Sequence, residues 1–107
     1  MRGPSNTQPP KHLGRAGREL FLTIQGEYGI QDAGGLLLLT QAGECADRLH
    51  AAREAIKQSG EIVMDRYNRP RLHPALTLEK DARAQLLQSI KLLGIELEPD
   101  ALARERR

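Results

Sequence analysis

The sequence predicts a mainly α fold of three helices, with a long central helix and a short β-hairpin or loop before the last helix. Three observations lead there. Phe21, Tyr28 and Tyr67 are the only Phe, Tyr or Trp residues among 107, so the core must be built mainly from Leu, Ile, Val and Ala, a composition that favours packed helices over a β-sandwich. Apolar residues recur at steps of three and four in three separate stretches, and the breaks between them carry glycine, proline or asparagine. The mass of 11.9 kDa leaves room for one modest core.

The first helix is expected over residues 15–28, where Leu20, Phe21, Ile24 and Tyr28 fall on one face, with Gly29 placed to end it. Asp32 suits the N-cap of a second helix over 33–59, because its carboxylate can accept from an unpaired first-turn amide; Gly60 is the expected stop. Leu38, Ala42, Cys45, Leu49, Ala52 and Ile56 form a seam at alternating steps of four and three along this helix. At ~1.5 Å per residue the helix would be roughly 40 Å long, more than a domain of this size can cover. The seam, with Ala46 beside it, is therefore expected to pack against another subunit. Gly34, Gly35 and Gly43 weaken a helix by about 1 kcal/mol each relative to alanine. Gly43, next to Ala42 and Ala46, either leaves a surface where a second backbone can approach or marks a kink or a later start of the helix.

Residues 61–72 break the helical pattern. Ile62, Val63 and Met64 favour extended backbone, and Tyr67-Asn68 can turn because asparagine tolerates a left-handed conformation. Pro74 suits the first position of a third helix, whose core face is Leu78, Ala82, Leu86, Ile90 and Leu93 and whose end is Gly94. Glu79 and Arg83 stand in the favourable order for a surface ion pair. Three regions follow: a flexible basic arm over 1–13, a helical core and oligomerisation region over 14–97, and a charged tail over 98–107.

The formal charge is only +2, but the basic residues cluster. Lys11, Arg15 and Arg18 precede or open the first helix, and Arg66, Arg69 and Arg71 crowd the hairpin. Either set could contact phosphates. The first is favoured, because a helix N-terminus adds backbone amides to the basic side chains; in the second, Arg66 could instead pair with Asp65 or Glu61. One cysteine excludes an intramolecular disulfide and fits a reducing compartment. The longest aliphatic run, residues 36–39, is far short of the ~20 residues that span a bilayer. His12, His50 and His73 are too scattered for a local metal motif, and no phosphate loop, nucleophile elbow or close acid pair is present, so no cofactor, metal or catalytic residue is expected. At the start of the third helix His73 is read as a capping or surface residue.

The most specific stretch is DRYNRPRLHPALTLEKDARAQLL from residue 65, followed by LLGI from residue 92. It resembles the small-subunit family of terminases from long-tailed phages, in which a turn, a His-Pro-Ala step and an acidic-basic helix precede a Leu-Gly ending. PPKHL from residue 9 and the later Leu20-Phe21 resemble the family's N-terminal segment, so the likeness covers residues 9 to 97. The chain departs from the pattern at Asn68, where members commonly have glycine, and in its Gly34-Gly35 and Leu36 to Leu39 run. The resemblance implies a non-catalytic subunit that recognises double-stranded viral DNA and presents it to the large subunit, which carries the ATPase and nuclease. It also implies assembly of copies into a ring, and a location in the cytoplasm of an infected or prophage-bearing bacterium. The alternative is a helical oligomeric interaction module that does not touch DNA.

Overall fold

A computed structural model describes residues 8–95 of the chain. Three helices, α1 (Arg15–Tyr28), α2 (Ala33–Ser59) and α3 (Ala75–Leu92), are joined by a tight turn and by a hairpin of β1 (Ile62–Met64) and β2 (Pro70–Leu72). The central helix packs α1 on one flank and α3 on another, while the two strands make their main contacts with each other. No helix among the described residues is long and apolar enough to cross a membrane. The tail over 98–107 and the first seven residues of the arm lie outside the described residues.

Both ends of α2 follow from local chemistry. Asp32 sits in extended backbone and accepts from the Gly35 amide at 2.8 Å, the N-cap arrangement expected of it. Gly35 belongs there because a Cβ would fall 2.6 Å from Ile30 Cγ2 and 2.8 Å from Asp32 Oδ1. The second glycine of the pair is thus part of the cap. At the other end Gly60 donates its amide to the Ile56 carbonyl and turns the chain. Gly29 ends α1 in the left-handed conformation. The buried Gln25 side chain then holds the turn, its Nε2 donating to the Ile30 carbonyl at 2.8 Å while its Oε1 accepts the Ile30 amide.

The start of α1 lacks a cap of its own, since Gly14 occupies the N-cap position. The cap comes from α2. Asp47 accepts the Gly14 amide on Oδ2 at 2.6 Å and the Gly17 amide on Oδ1 at 2.7 Å, satisfying two of the amides that a helix start leaves unpaired. This is possible only because the helices touch backbone to backbone. A Cβ on Gly17 would lie 2.4 Å from the Gly43 carbonyl oxygen, and one on Gly43 would lie 2.9 Å from Leu13 Cδ1 and 3.1 Å from the Gly17 oxygen. Gly43 is therefore a close-approach residue. A third tie, His12 Nε2 to Glu44 Oε2 at 2.8 Å, joins the segment before α1 to α2 one turn from Asp47.

The first core cluster, Leu13, Phe21, Ile24 and Leu39, sits at this crossing, with Leu93 and Ile95 from the end of α3 packed against it. Leu13, expected to end the arm, is buried, so the packed body begins before residue 14. Tyr28, expected on the core face of α1, is half exposed.

The seam of α2 is mostly buried inside the chain. Ala42, Cys45, Leu49 and Ala52 are covered, Leu38, Ala46 and Ile56 are half-buried, and α3 supplies Ala75, Ala82 and Ile90 on its side of the core. Of the seam expected to pack against another subunit, the four covered positions are buried within the chain, where α3 folds back along α2. Leu78, expected in the core face of α3, is exposed, while Leu86 and Leu93 are half-buried. Helix α3 begins at Ala75 with Pro74 as its N-cap residue, one position from the expectation. His73 does the capping, its Nδ1 accepting the Ala75 amide at 3.0 Å. Glu79 pairs with Arg83 as expected at 3.5 Å, and reaches across to Arg53 of α2 at 3.2 Å.

The borrowed cap is open to test by urea denaturation followed by circular dichroism. Asp47→Ala should cost about 2 kcal/mol, for two hydrogen bonds to a carboxylate, with Asp47→Asn recovering part of it. Gly17→Ala should cost about 3 kcal/mol, because its methyl group meets backbone and not a movable side chain. A loss below about 0.5 kcal/mol for both alanine variants would show that the crossing is not what holds α1.

Candidate nucleic-acid interface

The strands pair antiparallel in the register Ile62 with Leu72, Val63 with Arg71 and Met64 with Pro70. The ladder is extended at its base by the His73 amide on the Glu61 carbonyl at 2.7 Å. At the tip the Asp65 backbone bonds both ways, its amide to the Arg69 carbonyl and its carbonyl to the Asn68 amide, each at 2.9 Å. Asn68 adopts φ 63°, the left-handed turn that the sequence anticipates at this position.

The Asp65 side chain organises the loop. Oδ1 accepts the amides of Tyr67 at 2.8 Å and Arg69 at 2.9 Å, while Oδ2 accepts from Arg69 Nε at 3.3 Å. Its side chain is only 12% exposed, whereas that of Arg69 is 69% exposed. The carboxylate is spent inward on the turn, and the guanidinium still faces solvent. It is Arg69, then, and not Arg66, that pairs with Asp65. Tyr67, 66% exposed, has two arginines near its ring: the Arg69 guanidinium carbon is 5.0 Å from the ring centroid and that of Arg66 is 5.7 Å. Both distances suit cation–π attraction, which draws the arginines into one cluster against their mutual repulsion. Arg71 is exposed on β2, opposite the half-buried Val63.

The N-terminal set is arranged differently. Lys11 is exposed in a turn, Arg15 pairs with Glu19 at 3.4 Å, and Arg18 reaches back to the Leu13 carbonyl at 3.4 Å. The helix N-terminus expected to supply amides to a phosphate already holds the Asp47 carboxylate on Gly14 and Gly17. An incoming anion would meet a like charge there. The expectation that the start of α1 offers a ready anion site is corrected on that ground, although the three basic side chains remain at the surface.

Of the six basic candidates, the structure brings Arg66 and Arg69 together through Tyr67. Sequence reasoning misses the aromatic part of this cluster as a site residue, although a tyrosine between two arginines is itself a readable signal. It misses Asp47 because nothing local links that residue to α1. No family model, characterised protein or solved structure matches the chain.

Given these loop hydrogen bonds, Asp65→Ala should leave the helical circular dichroism unchanged while amide exchange at Tyr67 and Arg69 speeds up about tenfold, the loss of roughly 1.4 kcal/mol of local hydrogen bonding. Exchange that stays as slow as in the parent chain would contradict the role given to this carboxylate.

Proposed function

We propose that the chain is the DNA-recognising small subunit of a phage terminase, a non-catalytic adaptor acting in the cytoplasm of an infected or prophage-bearing bacterium. In this reading it binds double-stranded viral DNA and presents it to the large subunit. One observation carries the DNA-binding part: an exposed hairpin tip clusters Arg66, Tyr67 and Arg69, with the neighbouring carboxylate of Asp65 turned inward. The terminase assignment rests on the resemblance over residues 9 to 97, most specific at 65–87 and 92–95.

A two-stranded ribbon is narrow enough to enter the major groove of B-DNA, which is about 12 Å wide. Guanidinium groups at its tip can bond phosphates or the acceptor edge of guanine, and Tyr67 can meet sugar or base with its exposed ring. The modest net charge is no obstacle, since several copies on one DNA multiply weak contacts and each phosphate neutralised releases condensed counterions. In this reading the hairpin set comes before the N-terminal one. Arg66, Arg69 and Arg71 are preferred, because Lys11, Arg15 and Arg18 surround an amide site that is already filled.

The test is DNA affinity across a salt series. Replacing Arg66, Arg69 and Arg71 by alanine should weaken binding at least tenfold and flatten the salt dependence by about 0.9 log units for each phosphate no longer neutralised. Replacing Lys11, Arg15 and Arg18 should do markedly less. If only the N-terminal set alters the slope, the interface belongs there; if neither does, DNA recognition gives way to the interaction-module reading.

A further inference from the structure

Arg66 and Arg69 both approach the Tyr67 ring, yet they are held differently, and the difference bears on what each can recognise. Arg69 Nε donates to Asp65 Oδ2 at 3.3 Å, and that carboxylate is fixed in its turn by the Tyr67 and Arg69 amides on Oδ1. The Tyr67 ring centroid lies 5.0 Å from the Arg69 guanidinium carbon and adds a second restraint. Only Nε is taken. The two terminal nitrogens, which form the outer edge of the guanidinium, have no hydrogen-bond partner among the described residues, on a side chain that is 69% exposed. Arg66 has the ring at 5.7 Å and no carboxylate partner among the described residues.

We infer that Arg69 is the residue through which the hairpin tip reads sequence, its two terminal nitrogens donating to O6 and N7 of a guanine in the major groove, and that Asp65 is the positioning residue that aims it. Both roles rest on the reading of the chain as a DNA-binding subunit. Two features favour a base over a phosphate as the target of Arg69. The first is charge. Attraction to phosphate acts on net charge, and the Asp65 carboxylate, 3.3 Å away, offsets that of Arg69 and repels any phosphate brought close. An uncharged acceptor edge is little affected by the offset, while its match to the pair of terminal nitrogens is kept. The second is order. A long side chain tied at Nε and set against a ring has already lost much of the freedom that an unrestrained arginine gives up on binding, and a fixed direction is what base recognition requires. Guanine is the base that fits, because it presents two acceptors on its major-groove edge, whereas adenine offers one acceptor and one donor. Arg66, whose charge is not offset, and Arg71 on β2 are left to phosphates, contacts that set position without reading sequence.

The test compares a mixed-sequence duplex with the same duplex carrying 7-deazaguanine at every guanine, which keeps the pairing and the phosphate charge but removes the N7 acceptor. The full chain should bind the unmodified duplex about tenfold more tightly, whereas 7-deazaadenine in place of adenine should change affinity by less than about twofold. Arg69→Ala should abolish the guanine preference and leave the slope of log affinity against log salt unchanged. Arg66→Ala should do the reverse, keeping the preference and flattening the slope by about 0.9. Asp65→Asn, which retains an acceptor for the loop amides, should lose the preference and steepen the slope by about 0.9, because Arg69 is released to neutralise a phosphate. Equal, salt-dependent binding to all three duplexes overturns the guanine assignment and leaves the DNA reading standing; binding to none of them overturns both. An Arg69→Ala chain that flattens the slope and keeps the preference makes Arg69 a phosphate contact and overturns the assignment as well. An Asp65→Asn chain that keeps both preference and slope overturns the positioning role. If that variant disorders the loop, seen as fast amide exchange at Tyr67 and Arg69, the Arg69→Ala measurement, which leaves the Asp65 amide bonds in place, decides the matter.

Discussion

A single carboxylate on the central helix holds the beginning of the fold in place. Asp47 binds the amides of Gly14 and Gly17 at once, doing from a neighbouring helix what a capping side chain ordinarily does from within its own. The geometry demands that two backbones nearly touch, which is why glycine stands on both sides of the contact, Gly17 on α1 and Gly43 on α2. Once α1 is set by this contact, Leu13 and Phe21 are directed onto Leu39, and Leu93 and Ile95 can close over them. The core cluster therefore depends on a polar interaction at its edge.

The same contact bears on electrostatics. A helix N-terminus attracts anions, and basic residues around one suggest a phosphate site. Here the protein satisfies that end itself, so Lys11, Arg15 and Arg18 lose their backbone contribution. At the hairpin the logic is reversed. Asp65 is used up by the loop amides, and its turn brings Arg66 and Arg69 within cation–π distance of Tyr67. In both places a carboxylate binds backbone amides; in one it occupies an anion site, and in the other it displays cations.

The α2–α3 pairing divides the apolar surface unevenly. Small residues, Ala42, Ala52, Ala75 and Ala82, are fully covered between the helices, while larger ones such as Leu78, Leu87 and Leu92 remain at the surface of α3. Packing through alanine brings helices close but leaves hollows beside the line of contact. The hairpin likewise keeps Ile62, Met64 and Leu72 at the surface.

What the sequence determined by itself is local. The spans of α1 and α2, the stops at Gly29 and Gly60, the Asp32 cap, the turn at Asn68 and the capping by His73 all depend on residues within a few positions of one another, and periodicity with cap chemistry is enough to read them. Basic residues crowding the hairpin are visible in the same way. Only the tertiary structure decided which faces meet. A seam of Ala42, Cys45, Leu49 and Ala52 looks the same whether its partner is α3 or another subunit, because periodicity states that a face is apolar and not what covers it. Nor does sequence show that Asp47, thirty residues from Gly17, fills the anion site at the start of α1, or that Asp65 takes Arg69 in place of Arg66. Those choices are made by distances across the fold, where a carboxylate binds whichever donors the packed backbone brings within reach.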